Sequence, residues 1–187
     1  DYFPPYQVLS SLQTNIFQTR LPKDTLVNIT GDGDVSCYPH LLELTKGIHD
    51  MGLPIHLGYT SGKGIDDVST VDKLINNGVI ETTYTAFSTD AKLREKWMHD
   101  PTADVSIQAL KRFCESCDVH AASIIIPGVN DGDILAKTCA DLESWGAKAL
   151  ILMRFANTAN QGLILNNGPI IPGIKEQTLT EFENLVR

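Results

Sequence analysis

Apolar positions along this chain follow two alternating rhythms. Short, nearly continuous apolar runs are followed by stretches in which apolar residues recur every three or four positions. The first rhythm belongs to strands buried on both faces, the second to helices with one face in a core. The runs Thr25–Thr30, Pro54–Tyr59, Val79–Phe87, Val119–Ile126 and Ala149–Phe155 predict five strands. Between them, Leu41, Leu42, Leu44, Ile48 and Met51 make a helical stripe, with Pro39 in its first turn and Gly52 at its end. A second helix carries Ile65, Val68, Val71, Leu74 and Ile75 and stops at Asn77-Gly78. Helices are also predicted for Ala103–Cys117, with Thr102 as N-cap, and for Asp131–Trp145, closed by Gly146. Glycine just past a helix and Ser, Thr or Asp just before one are the residues those positions favour.

The flanks are less regular. Residues 1–22 are rich in Pro, Tyr, Gln and Ser, with Val8, Leu9, Leu12, Ile16 and Phe17 at helical spacing; they read as a helix leading into the domain. Leu93 and Trp97 lie in a loop of helical character. Ile170-Ile171, between Pro169 and Pro172, reads as an extended edge, and Thr178 with Glu181 forms a capping box before a last helix.

Strand-helix alternation at this pace predicts an α/β fold with parallel pairing and right-handed crossovers. Each predicted strand ends in a polar or glycine-rich turn: Gly31-Asp32-Gly33-Asp34, Thr60-Ser61-Gly62-Lys63-Gly64, Ser88-Thr89-Asp90, Pro127-Gly128-Val129-Asn130-Asp131 and Arg154-Phe155-Ala156-Asn157. Five such ends describe the rim of a partial (β/α) TIM-like barrel, the rim where barrels keep their chemistry. A doubly wound open sheet stays open as an alternative, although no G-x-G-x-x-G starts a helix.

Composition narrows the classes. The 187 residues suffice for one domain spanning the chain, and a net charge of −8 argues against a nucleic-acid partner. No apolar run is long enough for a membrane span and no signal peptide is visible. Cys37, Cys114, Cys117 and Cys139 form no disulfide framework, so a reducing cytoplasm is expected. Cys114 and Cys117 are expected in the core, and neither the cysteines nor the five histidines have metal-ligand spacing. The chain opens with Asp1 and ends within a helical pattern at Arg187, which reads as a piece of a longer protein.

Several turns carry candidate chemistry. Gly31–Asp34 offers close backbone approach and two carboxylates for an ammonium group, or is simply a tight turn with solvated acids. Ser61-Gly62-Lys63-Gly64 lacks the P-loop register. Pro127-Gly128 is a rigid step that can lie against a flat ligand. Arg154 at a strand end is a carboxylate partner or a salt bridge to a neighbouring helix.

In combination these turns resemble those of radical S-adenosylmethionine (SAM) enzymes. Gly31–Asp34 is similar to their glycine-rich turn, Thr60-Ser61-Gly62 to the third-strand turn, and Ile126–Asp131 to the turn after the fifth strand, with Ser88 ending the strand between. Within that superfamily, Gly31–Pro39, Gly58–Gly64, Met153–Thr158 and Gln161–Leu165 resemble the cobalamin-dependent methanogenesis-marker branch, which C-methylates an arginine of methyl-coenzyme M reductase. The resemblance implies SAM, a [4Fe–4S] cluster and cobalamin as cofactors, and a protein or peptide substrate. It implies that Gly31, Asp32, Gly33 and Asp34 hold the methionine amino group. Ser61, Ser88 and Arg154 would serve the SAM carboxylate and ribose, and Ile126, Pro127, Gly128 and Met153 the adenine wall. Tyr59 and Tyr84 would line the substrate channel. The family's three-cysteine cluster loop is missing; it is expected before this chain, as is the first barrel strand, with a cobalamin domain after it. Two rival readings remain: a self-contained barrel aldolase or isomerase using Lys63, and a non-catalytic scaffold of the same fold.

Overall fold

The structure, a computed structural model, describes residues 2–22, 24–157 and 171–185. Helix α1 (Pro5–Thr19) leads in, and five strands follow: β1 (Val27–Ile29), β2 (Ile55–Thr60), β3 (Val79–Thr85), β4 (Asp118–Ile125) and β5 (Ala149–Arg154). They form one parallel sheet in the order β1-β2-β3-β4-β5. Sequential order decides between the two predicted architectures. A doubly wound sheet reverses its strand order at a switch point, whereas here every crossover advances the same way, as in a barrel wall.

The crossover helices are α2 (Leu41–Asp50), α3 (Ser69–Asn76), α5 (Ala103–Cys114) and α6 (Gly132–Trp145). They pack side by side against one face of the sheet. The main core lies between these layers and includes Ile48, Ile55, Leu57, Leu74, Val79, Leu110, Phe113, Val119 and Ala121. Gly52, Gly78 and Gly146 end their helices with positive φ of 78°, 87° and 90°, the left-handed geometry glycine adopts without cost.

Several boundaries differ from the sequence reading. Ile65 and Val68 precede α3, which starts only at Ser69; they pack the turn above it. Thr102 makes no side-chain cap on α5, because Asp100 Oδ1 accepts from the Thr102 amide and the Ser106 hydroxyl instead. Helix α5 ends at Cys114, and Cys117 Sγ lies 3.3 Å from the Val79 carbonyl, to which it donates. On α1, Leu9, Leu12 and Ile16 pack on the core while Phe17 is 86% exposed. The predicted helical loop is a short helix α4 (Ala91–Leu93) continued by a π-helical turn, Arg94–Met98. Ile171 sits in a bend, not an extended edge; Ile170, like Thr158 and Gln161–Leu165, lies outside the described residues. Thr178 and Glu181 form their capping box, carboxylate to amide and hydroxyl, ahead of α7 (Leu179–Leu185).

Candidate functional site

Three of the four pairs of neighbouring turns on the C-terminal rim are each tied by one polar side chain. Between β1 and β2 the tie is Asp34. Its Oδ1 accepts from the Ser36 amide (2.9 Å), the Ser36 hydroxyl (2.6 Å) and the Thr60 hydroxyl (3.1 Å). Its Oδ2 accepts from the Ser61 amide (2.9 Å) and from the Ser61 hydroxyl. Burial pushes this carboxyl up, but the hydrogen bonds from Ser36 and Ser61 outweigh it and hold it below its ordinary value.

Between β2 and β3 the tie is Arg94, whose side chain is fully buried. Its guanidinium donates to the Ser61 carbonyl (2.6 Å), the Thr85 carbonyl (3.2 Å) and the Ala86 carbonyl (2.6 Å), and pairs with the equally buried Asp100 at 2.8 Å. Five donors in a planar fork let one arginine hold three strand-end carbonyls and a carboxylate. Between β3 and β4 the tie is Asn130. Its amide donates to the Phe87 and Ile124 carbonyls at 3.1 and 2.9 Å, and its oxygen accepts from the Ile126 amide at 2.7 Å. Beyond β5, Asn157 exchanges hydrogen bonds with Ile171 and donates to the Ile174 carbonyl.

The predicted site residues separate on this frame. Asp34 and Ser61 are brought together, and both spend their side chains on the tie. Asp32 remains exposed in the turn between. Ser88 ends its strand as expected, but it is buried, lies 3.4 Å from the Thr138 hydroxyl of α6 and accepts from the Asp90 amide. It therefore faces the helix layer. Tyr84 corrects the channel reading outright. It is buried on the helix side, donates to the Ser106 carbonyl at 2.7 Å and packs on Phe113; burial drives its phenol far up. Tyr59 is 65% exposed and stands at the rim with φ 53°, where the β2–β3 register shifts. Positive φ at an aromatic residue is strained, and such strain gathers at functional sites. Arg154 does form a salt bridge, to Glu176 at 3.1 Å, and donates to the Gln177 carbonyl, but both lie in the loop ahead of α7 and not on a neighbouring helix. Ile126 packs with Phe87, Val129 and Phe155, leaving Pro127 and Gly128 on the open side; Met153 is 40% exposed.

The glycines divide in a way that locates free backbone. A Cβ on Gly62 would come within 2.0 Å of the Tyr84 hydroxyl, and one on Gly64 within 1.9 Å of the Ser36 carbonyl. These two are glycine because the protein crowds them. Around Gly31, Gly33 and Gly128 no protein atom lies within 4 Å of that position. At Gly31 and Gly33 the backbone angles demand no glycine either. Beside them, a groove of about 720 Å³ runs along the outer edge of β1, walled by Tyr2, Phe3, Leu12, Leu44 and Ile48.

Comparison with solved structures places this architecture. Over its whole length the chain superposes on SuiB of Streptococcus suis, solved with SAM bound, with TM-score 0.67 and 15% identity, and covers 40% of that chain. The fold is that of the radical SAM partial barrel. A radical SAM methyltransferase of Sphaerobacter thermophilus matches with TM-score 0.55 and 16% identity, covering 97% of this chain and 52% of that one. The radical SAM methyltransferase TsrM of Kitasatospora setae, with tryptophan and a SAM analogue bound, matches with TM-score 0.62 and 11% identity, over 83% of this chain and 31% of its own. The chain thus spans less than half the length of SuiB. No family model and no curated protein matches the sequence.

The open turn at Gly31–Gly33 fits a ligand with polar, hydrogen-bonding ends, as SAM has. A cluster does not fit these residues. Among the described residues no three His, Cys, Asp or Glu side chains are placed to hold a metal ion. Cys114 and Cys117 are buried, which pushes both thiols up to about 11. Sequence reasoning missed Arg94 and Asn130 as ties. The π-turn spacing of Arg94 and Asp100 has no motif, and a charged residue is read by default as surface.

Proposed function

We propose that this chain forms the SAM-binding rim of a radical SAM methyltransferase that C-methylates an arginine side chain of methyl-coenzyme M reductase, with cobalamin as methyl carrier. The observation that carries the SAM reading is the turn Gly31–Gly33, glycine without packing or backbone need, at the end of β1. Its amides and carbonyls, with exposed Asp32, would take the methionine amino and carboxylate groups. Pro127, Gly128 and Met153 would wall the adenine. Ser61 and Asp34 shape the floor of that turn and stay bound to each other. Ser88 and Arg154 remain in the proposal as supports of the rim, one from the helix layer and one from the Glu176 side. SAM-bound SuiB and the two methyltransferase neighbours support the class. The stretches Gly31–Pro39, Gly58–Gly64 and Met153 onward support the finer substrate.

When bound beside a reduced iron–sulfur cluster that donates one electron, SAM would supply the carbon radical and, through cobalamin, the methyl group that replaces a hydrogen atom on the side-chain carbon. No residue of this chain is assigned to the cluster or to cobalamin. The residues here bind and orient SAM, and the ties fix the turns against one another. The test is mass spectrometry of an arginine peptide from methyl-coenzyme M reductase, incubated with the intact reduced enzyme, cobalamin and SAM. The expected product carries one added methyl at the arginine carbon, with 5′-deoxyadenosine alongside. SAM cleavage without methylation removes the substrate; no cleavage in cluster-loaded enzyme removes the class and favours a scaffold.

A further inference from the structure

The face of the sheet away from the helices carries a second, unassigned constellation. Along the strands, Ile55, Leu57, Thr82, Tyr84, Val119 and Ala121 are buried against the helix layer. The alternate positions face the other way. Register places Asn28 opposite His56, His56 opposite Glu81, and Thr83 opposite His120. His120 Nδ1 lies 3.4 Å from Glu81 Oε1, and His56 Nε2 lies 3.0 Å from the Thr83 hydroxyl. Above this polar floor, toward the rim, the same face turns apolar: Ile124, Ile151 and Met153 are 42%, 48% and 40% exposed.

Charge on this face is one-sided. The strands contain a single arginine or lysine, Arg154, and it is held by Glu176. Lys148 pairs at 3.4 Å with Asp118, the residue opposite Glu81 on β4, so the lysine at this level is already engaged by a second carboxylate. Glu81 accepts no hydrogen bond among the described residues; its neighbours are the His120 imidazole at 3.4 Å and, across the register, Asp118. A carboxylate flanked by imidazole and hydroxyl groups, with no hydrogen bond of its own, suits a planar cation with several N–H donors. The apolar wall between this floor and the rim suits an aliphatic stem. Glu81 lies four residues below the end of β3, roughly 13 Å from the rim.

We infer that the sheet's inner face receives a guanidinium group, with Glu81 as its carboxylate partner, His56, Thr83 and His120 flanking it, and Ile124, Ile151 and Met153 against the stem. This rests on the arginine reading above and gives it a place in the fold. The experiment titrates the intact protein with methylguanidinium and follows the ring resonances of His56 and His120. Saturable shifts are expected in the wild type, weakened at least tenfold in Glu81→Gln and partly retained in Glu81→Asp. Neutral methylurea should give none. Absent shifts in the wild type, equal affinity in Glu81→Gln, or equal response to methylurea each overturn the site. If the guanidinium binds while the peptide is not methylated, the substrate assignment fails and this site stands; methylation with no guanidinium response fails the site alone.

Discussion

At Asp34, burial and hydrogen bonding oppose each other, and hydrogen bonding prevails. The folded-state carboxyl sits below the ordinary aspartate value of 3.8. A depressed group adds stability that is present above the unfolded value and is lost as pH falls through the folded one. Asp34→Asn should therefore be less stable at neutral pH, by about 1–3 kcal/mol for a weakened charge-assisted network. It should also lose less stability than the wild type on acidification below 3.8. Urea unfolding across a pH series reads both; parallel acid limbs in the two proteins would remove Asp34 as the titrating group. Sequence alone placed Asp34 correctly in a rim turn, yet read it as facing outward for a ligand. Pattern can count a carboxylate but cannot count its donors, and here two of the three donor residues, Thr60 and Ser61, are neighbours only after folding. Tyr84 failed for a related reason: which side of a strand a residue takes depends on parity within the sheet, and an aromatic residue near a rim looks equally apt on either.

Among the elements, strands and crossover helices were legible because apolar runs, helical spacing and glycine stops all agreed with the tertiary packing. Their ends were less so, as at Ile65 and Val68, where apolar side chains pack a turn and not a helix. The turns show the same limit in their glycines. Sequence makes Gly31, Gly33, Gly62 and Gly64 look alike, and only the neighbouring atoms separate them. Gly62→Ala and Gly64→Ala should lower stability by about 1–3 kcal/mol, as overpacking does, with Gly62 further penalised by its φ of 81°. Gly31→Ala and Gly33→Ala should leave the melting temperature within a few degrees and weaken SAM binding about tenfold or more in the intact enzyme. Thermal melts paired with SAM calorimetry decide the matter. Stable Gly64→Ala protein, or unchanged SAM affinity in both Gly31→Ala and Gly33→Ala, would reverse the division.

On the scale of the whole molecule, the described residues form a sheet with β1 and β5 at its edges. No described helix is long and apolar enough to cross a membrane. A sheet with two edges has no closed ring of hydrogen bonds to keep its strand ends in step. That task falls to Asp34, Arg94 and Asn130, each bridging one gap. Ser61 belongs to two of these bridges at once, by its amide and hydroxyl to Asp34 and by its carbonyl to Arg94. Adjacent loops joined this way cannot open independently. Their amide protons should therefore share one opening free energy, an exchange signature of a single cooperative unit. The amides of Ser36, Ser61 and Gly64, bound to Asp34, Asp34 and the Ser36 hydroxyl respectively, are its reporters. Native-state hydrogen exchange should give them matching protection factors that rise together when SAM is added. A ligand held at the first turn would then be registered at the third strand through polar side chains alone, with no movement of the sheet beneath.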